Sequence, residues 1–179
     1  MDGHRTLDEL TASLAHIRLS PQDRGRLDLI VCRPSCGDRK ILDEGRLDPA
    51  VGLSGDNWSA RDRQPDPEIQ ITLMNSRAIA EVAQSKHRWP LAGDQLFVDL
   101  DLGLANVPPD TRLSIGSAVL QVSAIPHTGC RKFIARFGVD AQQFVNSPDG
   151  RALNLRGINA RVITGGTVKV GDLVTVIRS

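Results

Sequence analysis

Tyrosine is absent from this chain, and with two tryptophans and four phenylalanines the aromatic share is only 3%. That removes the stacking platforms on which single-strand nucleic-acid binders rely. An excess of charge is missing too: 22 Lys plus Arg stand against 21 Asp plus Glu, a net of +1, so no electrostatic footprint for a nucleic-acid polymer or a membrane surface is evident. The expected partner is small. No apolar run approaches the length that spans a bilayer, and Met1-Asp2-Gly3-His4-Arg5 lacks the apolar core of a signal peptide. Cysteine is scarce, with three residues at 32, 36 and 130. An odd number in such a chain suits reduced thiols and a cytoplasmic location rather than a disulfide framework.

Several familiar sites are also missing. Cys32-Arg33-Pro34-Ser35-Cys36 has a three-residue gap and no second Cys or His pair near it, which argues against zinc. Gly165-Gly166 lacks the spacing and the lysine of a phosphate loop, and there is no serine nucleophile elbow. Asp99 and Asp101 share a strand face but read as a solvated rim, and Asp56 and Asp94, each after a glycine, read as turn residues.

What is present begins with an amphipathic stretch. Thr6 and Glu9 have capping-box spacing, and Leu7, Leu10, Leu14 and Ile17 repeat at helical intervals, predicting one helix over 6–19 that ends at Ser20-Pro21. From residue 26 the texture changes to short apolar runs punctuated by Gly, Pro and Asp: 27–31, 69–73, 96–100, 118–125, 160–163 and 173–177. These read as strands, and the runs at 96–100 and 119–122 partly alternate in polarity, as half-buried antiparallel strands do. Capped helices are predicted over 75–83, 131–137 (closed by Gly138) and 140–145. Many short strands without regular strand–helix alternation predict a mainly β, α+β fold. The architecture expected is a closed or nearly closed barrel of largely antiparallel strands with a few helices. The division expected is an N-terminal helical extension over 1–25 and a barrel domain over 26–179.

The chemistry concentrates in His127-Thr128-Gly129-Cys130-Arg131-Lys132-Phe133. A thiol becomes a good nucleophile when its pKa falls, and Arg, Lys, protonated His or the free amides of a helix N-terminus all favour the anion. Cys130 has each of these within reach in sequence, with His127 and Lys132 as its candidate catalytic companions. The competing reading is that Cys130 is a small buried hydrophobe at a strand end, and that His127 is simply hydrogen-bonded.

Cys130 with its basic neighbours, followed by Arg156-Gly157-Ile158-Asn159-Ala160-Arg161-Val162 and Gly166-Thr167-Val168-Lys169-Val170-Gly171-Asp172, resembles the MOSC domain, named for the C-terminal domain of molybdenum-cofactor sulfurases. Arg33-Pro34, Gly52-Leu53-Ser54-Gly55-Asp56-Asn57-Trp58, Met74-Asn75-Ser76-Arg77 and Leu91-Ala92-Gly93-Asp94-Gln95-Leu96 extend the likeness over about residues 27–178. The resemblance implies a β-barrel whose cysteine accepts or carries sulfur or contacts molybdenum cofactor, making Cys130 the candidate molybdenum ligand. It departs from the best-known members at Gly129, where they have proline, and at Gln95, where many have asparagine. Glycine leaves the backbone beside Cys130 freer.

A pterin cofactor carries phosphate and polar ring edges, so forked cations and amides would bind it. Asn57, Asn75, Arg77, Arg131, Arg136 and Arg156 are the candidates from the resembling segments. The reading is of a freestanding domain without the pyridoxal-phosphate-dependent desulfurase part, so no pyridoxal phosphate is expected. Sulfur would come from a donor protein or a small-molecule persulfide. Two other readings stay open. One is molybdenum-dependent reduction of N-hydroxylated compounds, associated with some bacterial relatives, which needs a separate redox partner because three cysteines cannot make a ferredoxin cluster site. The other is a non-catalytic barrel that binds a small anion and uses Cys130 structurally.

Overall fold

Residue 28 interrupts the pairing of the first strand, and the interruption explains the architecture. In this computed structural model, which describes residues 3–179, Leu27 pairs with Val98 but Leu29 with Phe97, leaving Asp28 as an extra residue in a β-bulge. Unbroken alternation would put Leu27, Leu29 and Val31 on one face. With the bulge, Leu27, Ile30 and Cys32 join one core cluster and Leu29 and Val31 another. Beyond the bulge both faces of this strand are therefore buried.

The strands are β1 (Arg24–Cys32), β2 (Lys40–Leu42), β3 (Glu44–Asp48), β4 (Gly52–Leu53), β5 (Ile71–Asn75), β6 (Leu96–Asp99), β7 (Arg112–Ile115), β8 (Ala118–Val122), β9 (Ile158–Thr164), β10 (Gly166–Lys169) and β11 (Leu173–Ile177). The helices are α1 (Leu7–Ala12), α2 (Leu14–Ile17), α3 (Ser76–Ala83), α4 (Arg131–Phe137), α5 (Val139–Asn146) and α6 (Pro148–Ala152), with 3₁₀ turns at Trp58–Ala60, Pro67–Ile69 and Lys86–Ala92. Seven strands close in the order β11-β7-β8-β9-β5-β6-β1, sealed by β1 against β11, and β2 adds to the outside of β1. A smaller sheet, β10-β3-β4, lies beside them. This is the expected closed barrel with attached helices. All ladders are antiparallel except β5–β6, which is parallel and therefore needs the crossover through α3.

The crossover corrects one expectation. The run at 96–100 is antiparallel to β1 as expected but not half-buried: Leu96 and Val98 fill the barrel while Phe97 is covered by the helical layer, so β6 is buried on both faces. Strand β8 does alternate, with Ala118, Leu120 and Val122 buried between partly exposed Val119 and Gln121. Residues 69–70 belong to a 3₁₀ turn and its cap rather than a strand, because Asp66 caps it and Pro67 favours that start. Two cores result. One fills the barrel; the other lies between its outer face and the helices, holding Leu10, Leu14, Ile17, Met74, Phe97, Phe133, Phe137 and Phe144.

The N-terminal stretch forms two helices, not one. Thr6 and Glu9 make the expected capping box, but at Ser13 the amide and hydroxyl both turn to Leu10 O, ending α1 before α2 begins. Its apolar stripe packs on the second core, and Leu7 N donates to Asp140 Oδ2 at 3.0 Å. Residues 1–2 of the predicted extension lie outside the described residues. Among the described residues no helix is long and apolar enough to cross a membrane.

Candidate functional site

After β8 the chain runs along β9 as an extended loop, with Ser123 N donating to Asn159 O at 2.8 Å and Asn159 Nδ2 donating to Ile125 O at 3.0 Å. Gly129 is then gripped by one side chain: its N–H donates to Asn146 Oδ1 at 2.9 Å and its carbonyl accepts from Asn146 Nδ2 at 3.1 Å. A Cβ there would lie 3.0 Å from Val145 Cγ2 and 3.3 Å from Gln142 Cγ. The freedom expected of glycine is thus absent at this position, because Asn146 on α5 clamps both polar groups of the residue before the cysteine.

Cys130 follows as the extended cap residue of α4 (φ −114°, ψ −177°), and its thiol is free and exposed. The helix is held by Phe133 and Phe137, one turn apart, buried and with ring centroids 4.9 Å from each other. Losing either ring would cost about 3–5 kcal/mol, so the position of Cys130 is set by aromatic packing beneath it. Gly138 (φ 90°) ends the helix as predicted.

Behind Phe133 lies a buried polar cluster. Arg156 is 6% exposed; its Nη1 donates to Asp94 Oδ2 at 2.6 Å, its Nη2 to Ala92 O at 2.8 Å, and its guanidinium sits 5.0 Å over the Phe133 ring. Asp94 is fully buried, so its reading as a turn residue is corrected: it is the counter-ion of Arg156. His127 Nδ1 stands 3.5 Å from Asp94 Oδ1, beyond good hydrogen-bond reach, and both atoms, with Arg156 Nε, are buried without a partner. Gly157 (φ 114°) makes room for the cluster, since a Cβ there would come within 3.2 Å of Asp94 Oδ1 and 3.3 Å of His127 Nδ1.

These surroundings decide the charges. Burial, and then the neighbouring Arg156, push His127 down to about 4 against the opposing pull of Asp94. His127 is therefore neutral near pH 7 and is not the cation that the sequence offered to the thiolate. For Cys130 burial works against the anion, but the amides of Phe133 and Lys132, the charge of Arg156 and its own N–H together hold the thiol below the ordinary range. No formed cap hydrogen bond reaches the sulfur in this conformation. The side-chain cation acting on Cys130 is thus Arg156; Lys132 contributes through its backbone, and Arg131 is not among the groups that shift it.

Cys130 opens on a cleft of about 700 Å³. Of the sequence candidates, Asn57, His127, Lys132, Arg136 and Arg156 line the cleft with it, and Arg131 does not. Asn75 and Arg77 are also elsewhere, because their polar groups are used structurally. Asn75 caps α3 through Ala78 N and donates to Ser20 Oγ and Leu100 O, while Arg77 Nε donates to Asp99 Oδ1 at 2.8 Å. Gln95, the other departure from the resembling family, braces β5 by accepting from Thr72 N and Oγ1, both at 2.7 Å.

Sequence reasoning missed Arg33, Arg39, Arg61 and Cys36 as cleft residues. Arg33 is buried in a two-pronged pair with Asp56, its Nε donating to Oδ2 and Nη2 to Oδ1, both at 2.8 Å, so Asp56 too is more than a turn residue. Arg39 and Arg61 have no carboxylate partner among the described residues. Burial and then other arginines lower both, with Arg136 acting most on Arg39 and Arg33 on Arg61. Gly93 separates two of these guanidiniums, its Cβ position lying 3.5 Å from Arg39 Nη2 and 3.8 Å from Arg136 Nη1. Like charges left unneutralised in one concavity form a site for an anion. The only local signal was Arg33-Pro34; Arg39 and Arg61 lie in irregular segments where no spacing marks them.

Among the described residues no three His, Cys, Asp or Glu side chains come together as a metal cluster.

The architecture has solved counterparts. A crystal structure described as that of a hypothetical protein superposes with a TM-score of 0.62 at 22% identity over 88% of this chain and 69% of that one. YiiM from Escherichia coli gives 0.57 at 22% identity over 86% and 70%, and the YuaD protein from Bacillus subtilis 0.56 at 16% over 86% and 95%. At these identities the likeness is one of fold. No curated protein matches the sequence. A family model for the MOSC domain, however, matches residues 55–175, a stretch that contains Cys130, the Asp94–Arg156 pair and all but the first strands of the barrel. The chain belongs to the MOSC domain family.

Proposed function

We propose that this protein handles sulfur through Cys130, taking a sulfane sulfur atom from a persulfide donor and presenting it to an anionic acceptor held in the cationic cleft. One observation carries the reading: an exposed thiol, held below its usual range, opens on a concavity in which Arg39, Arg61 and Arg136 have no carboxylate partner among the described residues. The Cys130 thiolate attacks the outer sulfur of the donor, R–S–SH. The donor's S–S bond breaks, R–S⁻ leaves with the electron pair, and Cys130 becomes a persulfide with no net oxidation. The neutral imidazole of His127 in the same wall is suited to accept or return a proton. Transfer to an acceptor is the reverse step on a second nucleophile.

The acceptor class that suits the cleft is a phosphate-bearing one, including the molybdenum cofactor with which the family is associated. The residues fit that group: Arg39, Arg61, Arg136 and Lys132 would hold its phosphate, Asn57 its polar edges, and Cys130 would supply the protein's thiolate. When bound, the cofactor would supply two-electron chemistry at its metal. This chain's residues bind and orient it and keep the thiol ionised.

The test is intact mass with peptide mapping after the reduced protein meets a persulfide donor. One sulfur atom added at Cys130, and lost in Cys130→Ser, is the expected result. Equal addition at buried Cys32, or none at Cys130, would overturn the reading.

A further inference from the structure

Cys36, set aside in the sequence as half of an improbable zinc pair, lines the same cleft as Cys130, and both thiols are exposed. It occupies the tip of a tight turn. Asp38 N donates to Ser35 O at 3.2 Å, the Ser35 hydroxyl meets the Asp38 carboxylate, and Gly37 has φ 89°, as the third position of a type II turn requires. Cys36 thus stands at the second position, on an exposed loop. A Cβ at Gly37 would meet open space, so the turn projects away from its neighbours. Arg61, also in the wall, is close enough for the charge of Cys36 to act on it. Cys32 shares neither property, being buried at the end of β1 with its thiol pushed up by burial and by Asp56.

From two exposed thiols facing one cleft we infer that Cys36 is the resolving nucleophile for sulfur-loaded Cys130, and that the chain can release its cargo as hydrosulfide. This rests on the sulfur-carrier reading above. The Cys36 thiolate attacks Cys130 Sγ, a Cys36–Cys130 disulfide forms, and the bond from Cys130 Sγ to the outer sulfur breaks. The outer sulfur leaves as HS⁻ with the electron pair, reduced while the Cys36 sulfur is oxidised. A small-molecule thiol or dithiol protein then restores both thiols. Cys130 alone would pass sulfur on intact; the pair gives a second exit that consumes reducing equivalents.

The experiment uses the full chain, reduced, exposed to inorganic tetrasulfide and desalted, as wild type, Cys36→Ser and Cys130→Ser. Cys36→Ser lies in an exposed turn and should fold normally. In it, Cys130 should retain one added sulfur, with sulfide released roughly tenfold or more slowly than from wild type, since a tethered thiol acts at a millimolar effective concentration. Wild type should release sulfide and yield a linked peptide pair containing Cys36 and Cys130. Equal retention in both proteins, with no linked pair, would overturn this inference and leave the carrier reading standing. Absence of added sulfur at Cys130 in Cys36→Ser would overturn both. A parallel reaction with one equivalent of dithio-bis-nitrobenzoate places a leaving group on the cleft thiol without sulfane sulfur; two thiolates released per reagent consumed, leaving no mixed disulfide by intact mass, are expected of wild type and only one of Cys36→Ser, and a persistent mixed disulfide in wild type would count against resolution by Cys36.

Discussion

Replacing Arg156 by methionine separates two jobs that the guanidinium performs. The substitution keeps much of the aliphatic length over Phe133 but removes the partner of Asp94, a fully buried carboxylate whose Oδ2 accepts from Arg156 at 2.6 Å. Breaking a buried pair by deleting one partner costs about 3–5 kcal/mol, because the remaining charge is left uncompensated. For a chain of this length that corresponds to roughly 6–20 °C of melting temperature. Changing Asp94 to Asn in the same chain should return a large part of the loss, since a neutral amide needs no counter-ion. The second job is electrostatic. Arg156 favours the Cys130 thiolate, so the pH profile of Cys130 alkylation should move upward in Arg156→Met and stay there in the Asp94→Asn, Arg156→Met double variant, even as stability recovers. Denaturant melts and alkylation rates between pH 5 and 10, followed by peptide mapping, read the two effects separately. A folded Arg156→Met protein with an unmoved alkylation profile would refute the assignment of Arg156 as the cation that acts on Cys130. Unchanged stability would refute the energetic reading of the buried pair.

Other outcomes follow from the same geometry. His127 sits at about 4 in the folded chain against 6.5 when unfolded, so the unfolded state binds more protons between these values. Stability should therefore be full above about pH 6.5 and fall by up to about 3 kcal/mol as the pH drops toward 4; His127→Gln should flatten that slope in urea melts taken across the window. Asn146→Ala leaves the buried amide and carbonyl of Gly129 without their partners, which should cost about 2–4 kcal/mol and slow sulfur loading of Cys130, read by calorimetry and by mass. Arg39→Ser with Arg136→Ser should change stability by less than about 1 kcal/mol, because like-charge repulsion is relieved as the hydrogen bonds to Pro90 O and Leu91 O are lost. It should also abolish the rise in melting temperature that pyrophosphate is expected to give wild type. An equal rise in both proteins would remove these arginines from the anion site.

Much of this protein is readable from short stretches. The run 173–177 is β11 residue for residue, Asn75 caps α3, Thr6 and Glu9 close their box, and Gly138 stops the helix that starts at Cys130. Each of these depends on groups a few residues apart, and the chain writes such signals locally. The site was partly legible for the same reason: the turn, the helix start and the thiol are contiguous. Reading was least secure where one residue type serves two purposes. Arg77 and Asn75 look like ligand-binding side chains, yet their neighbours in space use up their hydrogen bonds, whereas Arg39 and Arg61 look like surface charge and face the cleft.

The sequence by itself determined that the chain makes short strands with a few helices and that one cysteine follows a turn into a helix. Only the tertiary structure decided that β1 closes against β11, that β5 and β6 run parallel, that a bulge at Asp28 turns Leu29 toward the helices, and that Asp94, His127 and Arg156 meet behind Cys130. The physical reason is range. Caps and periodicity act over one or two turns of chain, whereas ladder partners, counter-ions and cleft walls come from segments far apart in sequence, brought together when the barrel and helical cores are buried in common.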